Sequence, residues 1–572
     1  MNSSLKELNT SKAFTKILLP LAVLVPSFFW IYESDPFNAP KLLILGIGAT
    51  ALIFISFVNL NMEILIFHRA LLLSSIFFIL ALLNPLLFSG APFSTQIFGA
   101  YGRNTGFLNY LFLTFILVAS SFLKTRDEIR KVFFSVFWVA TINFVLCTLE
   151  LFGINPQHIQ HVYARDLVGS FGNPNFVSAF MAIFGSIAAI VFIGIEKRKF
   201  LNFIPLIFAI SALFFAVRSH SNQGLIILFA GVILGILFKL HFLLKSNFYS
   251  LTINSLVLFV ALIGIAGILN KGPLAKYLFE NSVKFRWEYW KAGIQMFLHN
   301  PIHGVGLNSY GDWYRSARSP LALVSPGVDT TTNAAHNVFI DFASTGGAPL
   351  ILAFLTIVLM GVRAFIKIMR NSSSFDYLPI SIFVGWICYL AQAGISIDQI
   401  GLGIYGWIFP GLLVALSKLK SNDLIKENSV KNAQFKIKSK KEQELISARD
   451  LVGALAGSLI GFILVFPVVQ SDTNWLNALK SSDAQVLRSA AMKWPRNENV
   501  VASFSKMLLQ NKLYSESIEI AQSGVKEFPR SFITWQQIYA NPQAPALIRQ
   551  EALKKMIELD PLNPILKKSL IP

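Results

Sequence analysis

Cysteine, charge and acidity are all scarce in this chain. There are only two cysteines in 572 residues, Cys147 and Cys388, and both fall inside apolar runs. That excludes a disulfide framework and a cysteine-based metal site. Charged residues make up 14%, against roughly 25% in an average soluble domain, which excludes a single water-soluble core. Acids are fewer than bases, with 30 Asp and Glu to 49 Lys and Arg. A net charge of +19 would suggest nucleic acid as the partner of a soluble protein. Here the bases sit mostly in short loops between apolar segments, where they report topology and no nucleic acid is expected.

Apolar length is what the chain has in abundance. It is 54% hydrophobic, with 52 Phe and a mean hydropathy of +0.58. Runs such as 71–87 and 226–238 approach, with their flanks, the roughly 20 residues that a spanning helix needs. The pattern predicts an all-α polytopic membrane helix bundle of about thirteen spans. These fall near 14–32, 40–59, 68–88, 105–123, 131–152, 174–195, 201–217, 223–244, 249–269, 345–366, 376–393, 401–417 and 450–470. The first follows Lys6, Lys12 and Lys16 like a signal peptide but runs into Glu33-Ser34-Asp35-Pro36 without a small-residue cleavage pattern. It reads as an uncleaved first helix.

The bases set the orientation. With the N-terminus in the cytoplasm, that side holds Lys124, Arg126, Arg130 and Lys131, then Lys197 to Lys199, then Arg363, Lys367 and Arg370, then the basic stretch 421–449. The short loops opposite hold four, Lys41, Arg103, Arg165 and Arg218. This asymmetry is the positive-inside pattern. It assigns residues 1–420 to a transmembrane domain with a large extracytoplasmic loop at 270–344, and 421–449 to a cytoplasmic loop. A last span at 450–470 leads to an extracytoplasmic domain at 471–572.

In that tail, Trp494-Pro495, Phe528-Pro529 and Asp560-Pro561 recur at intervals of 34 and 32 residues, the period of a tetratricopeptide (TPR-like) helix-turn-helix repeat. Tyr514, Ile518, Ala521 and Val525 are spaced to share one helix face. Two or three such repeats are marginal alone, so the tail is expected to pack on the membrane domain or on a protein partner, in a docking role. An unrelated small helical bundle is the alternative.

Several loops on the outer side carry polar clusters. They are Tyr101-Gly102-Arg103-Asn104-Thr105-Gly106, Ser170-Phe171-Gly172-Asn173-Pro174-Asn175-Phe176, Arg218-Ser219-His220-Ser221-Asn222-Gln223-Gly224 and Ser396-Ile397-Asp398-Gln399. Each alone also reads as a capped helix end, but their shared side suggests one convergent site. The long loop opens with Lys284-Phe285-Arg286-Trp287-Glu288-Tyr289-Trp290-Lys291. Its aromatics suit a helix lying in the membrane interface, whereas Arg286 offers a planar fork of donors for phosphate oxygens. The loop turns at Asn300-Pro301-Ile302-His303-Gly304-Val305-Gly306 and ends at Thr332-Asn333-Ala334-Ala335-His336-Asn337, ahead of Gly346-Gly347. A histidine at the mouth of a span suits proton transfer near neutral pH. His299 and His303 stand four apart as zinc ligands can, but Pro301 lies between them, so no metal site is expected.

Taken together, these residues resemble the O-antigen ligase and polymerase superfamily of bacterial envelope enzymes. The Arg286 to Trp290 segment, the 300–306 turn and Ala335-His336-Asn337 with glycines ten residues on carry the likeness, with the 172–176 and 221–224 segments and Asp398. Where many members have a Ser-Arg-Gly run, this chain has Ser221-Asn222-Gln223-Gly224, the nearest arginine being Arg218. The resemblance covers roughly residues 10–420 and implies a GT-C-like bundle in the bacterial inner membrane. It implies transfer of a glycan from undecaprenyl-pyrophosphate to a lipid, glycan or protein hydroxyl, without metal or other cofactor. Arg286, with Arg218 or Arg103, would hold the pyrophosphate and His336 would take the acceptor proton. Asn337 and Asp398 would position these groups, with Asn173, Asn175 and Gln223 among the substrate-binding residues. A polymerase or a protein O-oligosaccharyltransferase fits the same residues. A bicarbonate-like solute transporter and a scaffold working through its tail are the remaining readings; a transporter should carry ionisable groups at mid-membrane depth.

Overall fold

A computed structural model describes residues 2–59, 68–158, 167–196, 199–244, 281–419, 447–481 and 483–568, with isolated positions in 252–272. Among these the regular structure is helical and no strand occurs. The helices are α1 (Asn2–Ser27), α2 (Asn38–Val58), α3 (Arg69–Phe88), α4 (Phe93–Phe98), α5 (Phe107–Ser121), α6 (Arg126–Leu151), α7 (Pro174–Gly194), α8 (Ile204–Arg218) and α9 (Asn222–Leu244). After them come α10 (Asn281–His299), α11 (Tyr310–Ala317), α12 (Val338–Arg370), α13 (Tyr377–Ala393), α14 (Ile400–Leu416) and α15 (Ala448–Ser481). The tail holds α16 (Ala484–Met492), α17 (Glu498–Gln510), α18 (Tyr514–Glu527), α19 (Phe532–Ala540), α20 (Ala546–Leu559) and α21 (Pro564–Lys568).

Eight of the described helices are long and apolar enough to cross a membrane: α2, α3, α6, α7, α8 with its preceding turn, α9, α12 and α15. Helices α5, α13 and α14 are apolar but shorter. The helix expected at 249–269, the basic loop 421–449 for most of its length, and Arg165 lie outside the described residues. Helix starts follow from local chemistry. At α6 Thr125 and Glu128 form a reciprocal capping box; at α7 Asn173 accepts a hydrogen bond from the Asn175 N–H, with Pro174 at the first helical position.

Polar side chains tie the connections together at each end of the bundle. At one end Arg126 pairs with Asp376 at 2.6 Å, Ser11 donates to Glu128 at 2.7 Å and Asn59 donates to Asp450 at 2.5 Å. At the other, Asn38 donates to the Gly102 carbonyl at 2.9 Å and Ser221 donates to Asn175 at 2.9 Å. Gln223 donates to Gln392 there at 3.2 Å. Lys41 is fully buried. It donates to the Ser170 carbonyl and lies over the Phe37 and Phe171 rings, so it joins the connection between α1 and α2 to the 170–176 one.

Helix α15 lies along α2 on a glycine stripe. Gly453, Gly457 and Gly461 stand four apart, and a Cβ at Gly457 or Gly461 would come within 2.4 Å of the Thr50 carbonyl or 2.3 Å of the Gly46 carbonyl. Small residues at that spacing let helix backbones approach closely in a membrane. Thr50 completes the contact by donating to the Gly457 carbonyl at 2.7 Å. The helix does not stop at 470, where the last span was expected to end. It runs on to Ser481, because Asp472 accepts from the Asp35 N–H at 2.9 Å and the Tyr101 hydroxyl at 2.8 Å. Trp475 and Ala478 then enter the tail's core beside Val501 and Phe504.

The tail continues as successive helices docked on the long loop. On α18 the buried face is Ser517, Ile520, Ala521, Gly524 and Val525, rotated from the expected Tyr514-Ile518-Ala521-Val525 line. Two contacts explain the turn: Ser517 donates to the Ser505 carbonyl at 2.9 Å, and Gly524 admits Val501 to 2.8 Å of its Cβ position. The expected packing on the membrane domain is present and polar. Asp560, of the third Pro mark, accepts two hydrogen bonds from Arg318 at 2.7 and 2.8 Å and one from Arg315 at 3.1 Å. Arg530 lies 3.5 Å from the Trp313 ring centroid and donates to Ser316 at 3.0 Å.

The side chains of Arg318 and Asp560 are both fully buried, and removing one partner of such a pair costs about 3–5 kcal/mol by leaving the other charge unpaired. Asp560→Ala is therefore expected to free the tail from the long loop. Hydrogen exchange in 310–330 and 484–568 should rise together, and unchanged protection in both would show that the clamp does not hold the tail.

Candidate functional site

Two stretches of the long loop fold onto each other. The 300–306 turn pairs with the start of α12: Val305 N–H donates to the Ser344 carbonyl at 2.9 Å, Gly306 N–H to the Thr345 carbonyl at 3.1 Å, and Ala348 N–H to the Pro301 carbonyl at 2.7 Å. Only glycine fits at the contact. Gly347 interrupts the helical backbone with φ 71° and ψ −172°, and a Cβ at Gly304 or Gly347 would lie 2.3 Å from the Thr345 carbonyl carbon or 2.5 Å from the Ile302 carbonyl oxygen.

That junction sets the position of His336. Ala335 N–H donates to Asp341 at 2.6 Å, and Asn337 caps α12 by accepting from Phe339 N–H at 3.0 Å and Ile340 N–H at 3.1 Å. Pinned on both sides, His336 takes a left-handed backbone with φ 56°, sparsely populated for a residue with a Cβ and retained where the surroundings enforce it. Its ring lies 5.5 Å from that of Tyr289. Tyr289 and Trp290 were expected to lie in a membrane interface. Instead they are buried, with Met296, Val305, Tyr310 and Tyr314, in a small core inside the long loop, because α10 packs against α11 and α12 and brings its aromatic face inward.

His336 opens onto a cavity of about 490 Å³ at the end of the bundle. Arg103, Asn104, Asn308 and Asn333 line it from the membrane domain and long loop. Asn308 holds the Arg103 loop in place, donating to the Thr105 carbonyl at 2.7 Å and accepting from the Ala100 N–H at 3.3 Å. Arg103, Asn308 and Asn333 also line a smaller chamber of about 50 Å³ that holds Asp341 and Asp398. Asp398 accepts from Tyr110 at 3.2 Å, Tyr389 at 3.3 Å and Gln399 N–H at 3.0 Å.

The charges around this cavity are unequal. Burial, then the positive charges of Arg286 and Arg103, push His336 down to about 3, so its ring is a neutral imidazole at physiological pH. Burial pushes Asp398 up to about 6, against its three hydrogen bonds. Arg286 is lowered by burial as well but stays cationic, as guanidinium does in proteins. It donates to Gln223 at 3.1 Å, and Gln223 donates to Gln392, so α9, α10 and α13 are tied together beside Arg286.

The site residues expected from sequence therefore divide. Arg103, His336 and Asp398 line connected cavities, and Arg286 and Gln223 back them. Asn337 acts as a helix cap that orients its neighbour. Asn173 caps α7, Asn175 holds Ser221, and Arg218 is exposed at the end of α8; none of the three is among the lining of either cavity. His299 faces the Gln295 carbonyl and His303 faces Asn84. Asn308 was not anticipated. Its left-handed φ of 57° has no sequence signature beyond asparagine's tolerance of that region.

A bundle of helices long and apolar enough to cross a membrane thus carries, at one end, a partly open cavity lined by cations and a neutral histidine. Residues 177–355 match the family model described as O-Antigen ligase, a stretch from α7 into α12 that contains Gln223, Arg286, His336, Asn337 and Asp341. That match, over about a third of the chain, supports a likeness to the O-antigen ligase superfamily. No curated protein matches it. The match supports glycan transfer of the ligase or polymerase type, with a glycan donor and acceptor in a membrane, and, with the apolar helices, a place in the bacterial inner membrane.

Gly347→Ala is expected to lower thermal stability in detergent by at least the roughly 1–3 kcal/mol that such backbone strain carries, and to reduce activity with it. A variant as stable as wild type would mean that the α12 break does not need glycine.

Proposed function

We propose that the cavity transfers a glycan from undecaprenyl-pyrophosphate to an acceptor hydroxyl on the outer face of the membrane, without a metal ion. The carrying observation is His336, held left-handed and neutral in the cavity wall with Arg103 and Arg286 as its charged neighbours. The acceptor oxygen bonds to the anomeric carbon of the first donor sugar as that carbon's bond to the diphosphate oxygen breaks. The electron pair leaves with the diphosphate, where Arg103 and Arg286 stabilise the charge it gains. The acceptor proton passes to His336. A bound pyrophosphate would offset the two guanidinium charges, raise the proton affinity of His336 and so switch on the base as the donor arrives. Asp398 and Asn337 serve as positioning residues.

The proposal includes the finer architecture read from sequence: thirteen spans, a cytoplasmic N-terminus, and a cavity and tail outside. The polar ties at opposite bundle ends, each grouping the connections expected on one side, support this topology. Paired helices at the 34-residue period support a tetratricopeptide-like tail. The acceptor is lipid, glycan or protein; polymerisation of repeat units and transfer to protein hydroxyls would use the same cavity, and the tail beside it favours a macromolecular substrate. A solute transporter accounts less well for a histidine and two arginines gathered at one end of the bundle.

Reconstituted protein, given lipid-linked glycan and candidate acceptors, is expected to form product in the presence of a chelator and to lose it with His336→Ala. Chelator-sensitive product would remove the metal-free mechanism. Because His336 sits near 3 in the free protein, kcat/KM, which reports the free enzyme, should show no acidic limb near 6.5 from this residue. Imidazole NMR should instead record an upward shift of the His336 pKa when inorganic pyrophosphate is added, and an unmoved value would separate the histidine from the phosphate site.

A further inference from the structure

The cavity has a second wall, made by the tail. Asn497, Glu498 and Asn499, the cap and first turn of α17, line it together with Arg530 and Phe532. This wall is held in register with His336 by contacts outside the reaction centre: the Asp560 clamp on Arg318 and Arg315, and Arg530 against Trp313. It also meets the long loop inside the cavity, where Asp312 and Glu498 both line the wall and their carboxyls are near neighbours. Burial raises both groups, and the neighbouring carboxyl raises Asp312 further.

A tail that only docked a distant partner would have no reason to line the same cavity as His336. The chemistry of the wall is selective. The Asn499 amide carries donor and acceptor side by side, the arrangement that neighbouring sugar hydroxyls satisfy, while Asn497 keeps its oxygen on the α17 N–H groups and offers only its NH2. The Phe532 ring has the Arg315 guanidinium over it at 4.3 Å, which leaves at most its opposite face for a sugar's C–H surface. At about 490 Å³ the space falls in the range that encloses a whole small-molecule ligand, more than one reacting sugar and its diphosphate require on the His336 side alone.

We propose that the first turn of α17, with Phe532, is a sugar subsite that holds the part of the transferred glycan distal to the reacting residue, so that the tail reads glycan length. The proposal rests on the glycan-transfer reading and deepens it. Asn499 is the residue to alter, since it is exposed and lies on the cavity without belonging to the clamp.

The test uses glycans released by mild acid from the polyprenyl-linked pool of the producing cell, separated into one-repeat and several-repeat fractions. These are titrated into the full-length protein in nanodiscs by calorimetry, alongside a transfer assay. Wild type is expected to bind the longer fraction about tenfold more tightly than the shorter. Asn499→Trp, which fills the subsite, should bring the two within about twofold; Asn499→Ala should narrow the gap by less; and Lys506→Ala, on an exposed face of α17, should keep the wild-type ratio. Hydrogen exchange of the tail checks that each variant stays docked. Absence of a length preference in wild type, or its survival in a docked Asn499→Trp, overturns the subsite. Length-dependent binding without transfer would overturn the reaction and keep the subsite, and transfer with a length ratio that ignores Asn499 would do the reverse.

Discussion

The pairing of the 300–306 turn with the broken start of α12 is the constraint on which the site depends. Backbone hydrogen bonds from Val305, Gly306 and Ala348 hold it, and glycine is needed because two main chains pass within a methyl group's width of each other. Once the contact forms, Asn337 can cap α12 and Asp341 can receive the Ala335 N–H, and His336 between them has one direction to face. Asn308, two residues past the same turn, fixes the loop that carries Arg103. One local junction thus positions both His336 and the loop that carries Arg103.

Electrostatics then give the arrangement its chemical sense. Burial, and then the positive charges of Arg286 and Arg103, keep the His336 imidazole neutral. A diphosphate binding between them would satisfy the guanidinium groups and restore the basicity of His336 in one event. The buried acids at the inner chamber, Asp341 and Asp398, are bound up in hydrogen bonds with a backbone N–H, two tyrosines and Gln399. They brace the chamber that Arg103 and Asn308 share with the main cavity.

The tail changes meaning when seen in place. Its stem, α15, is anchored on α2 by a glycine stripe and continues unbroken into the tail's core, so the tail's position follows from the membrane domain. The recurring Asp560-Pro561 mark, which looked like repeat punctuation, supplies the carboxylate that neutralises Arg315 and Arg318. Asp312 of the long loop and Glu498 of the tail stand together in the wall of the cavity, both raised by burial.

The sequence alone determined whatever depends on local pattern. Apolar length predicted an all-helical chain with membrane-crossing helices, and His336, Arg286, Arg103 and Asp398 stood out because their chemistry is rare among apolar residues. Tertiary structure decided what depends on distance. It separated the cavity residues from Asn173, Asn175 and Arg218, because a capping asparagine and a lining asparagine have the same local sequence. It turned the Tyr289-Trp290 face into a core in place of an interface anchor, since that choice depends on what packs above it. It also brought Asn308 and the α17 wall to His336, across about 28 and more than 160 residues of chain, a convergence that no periodicity encodes because it arises from packing between elements that are far apart in sequence.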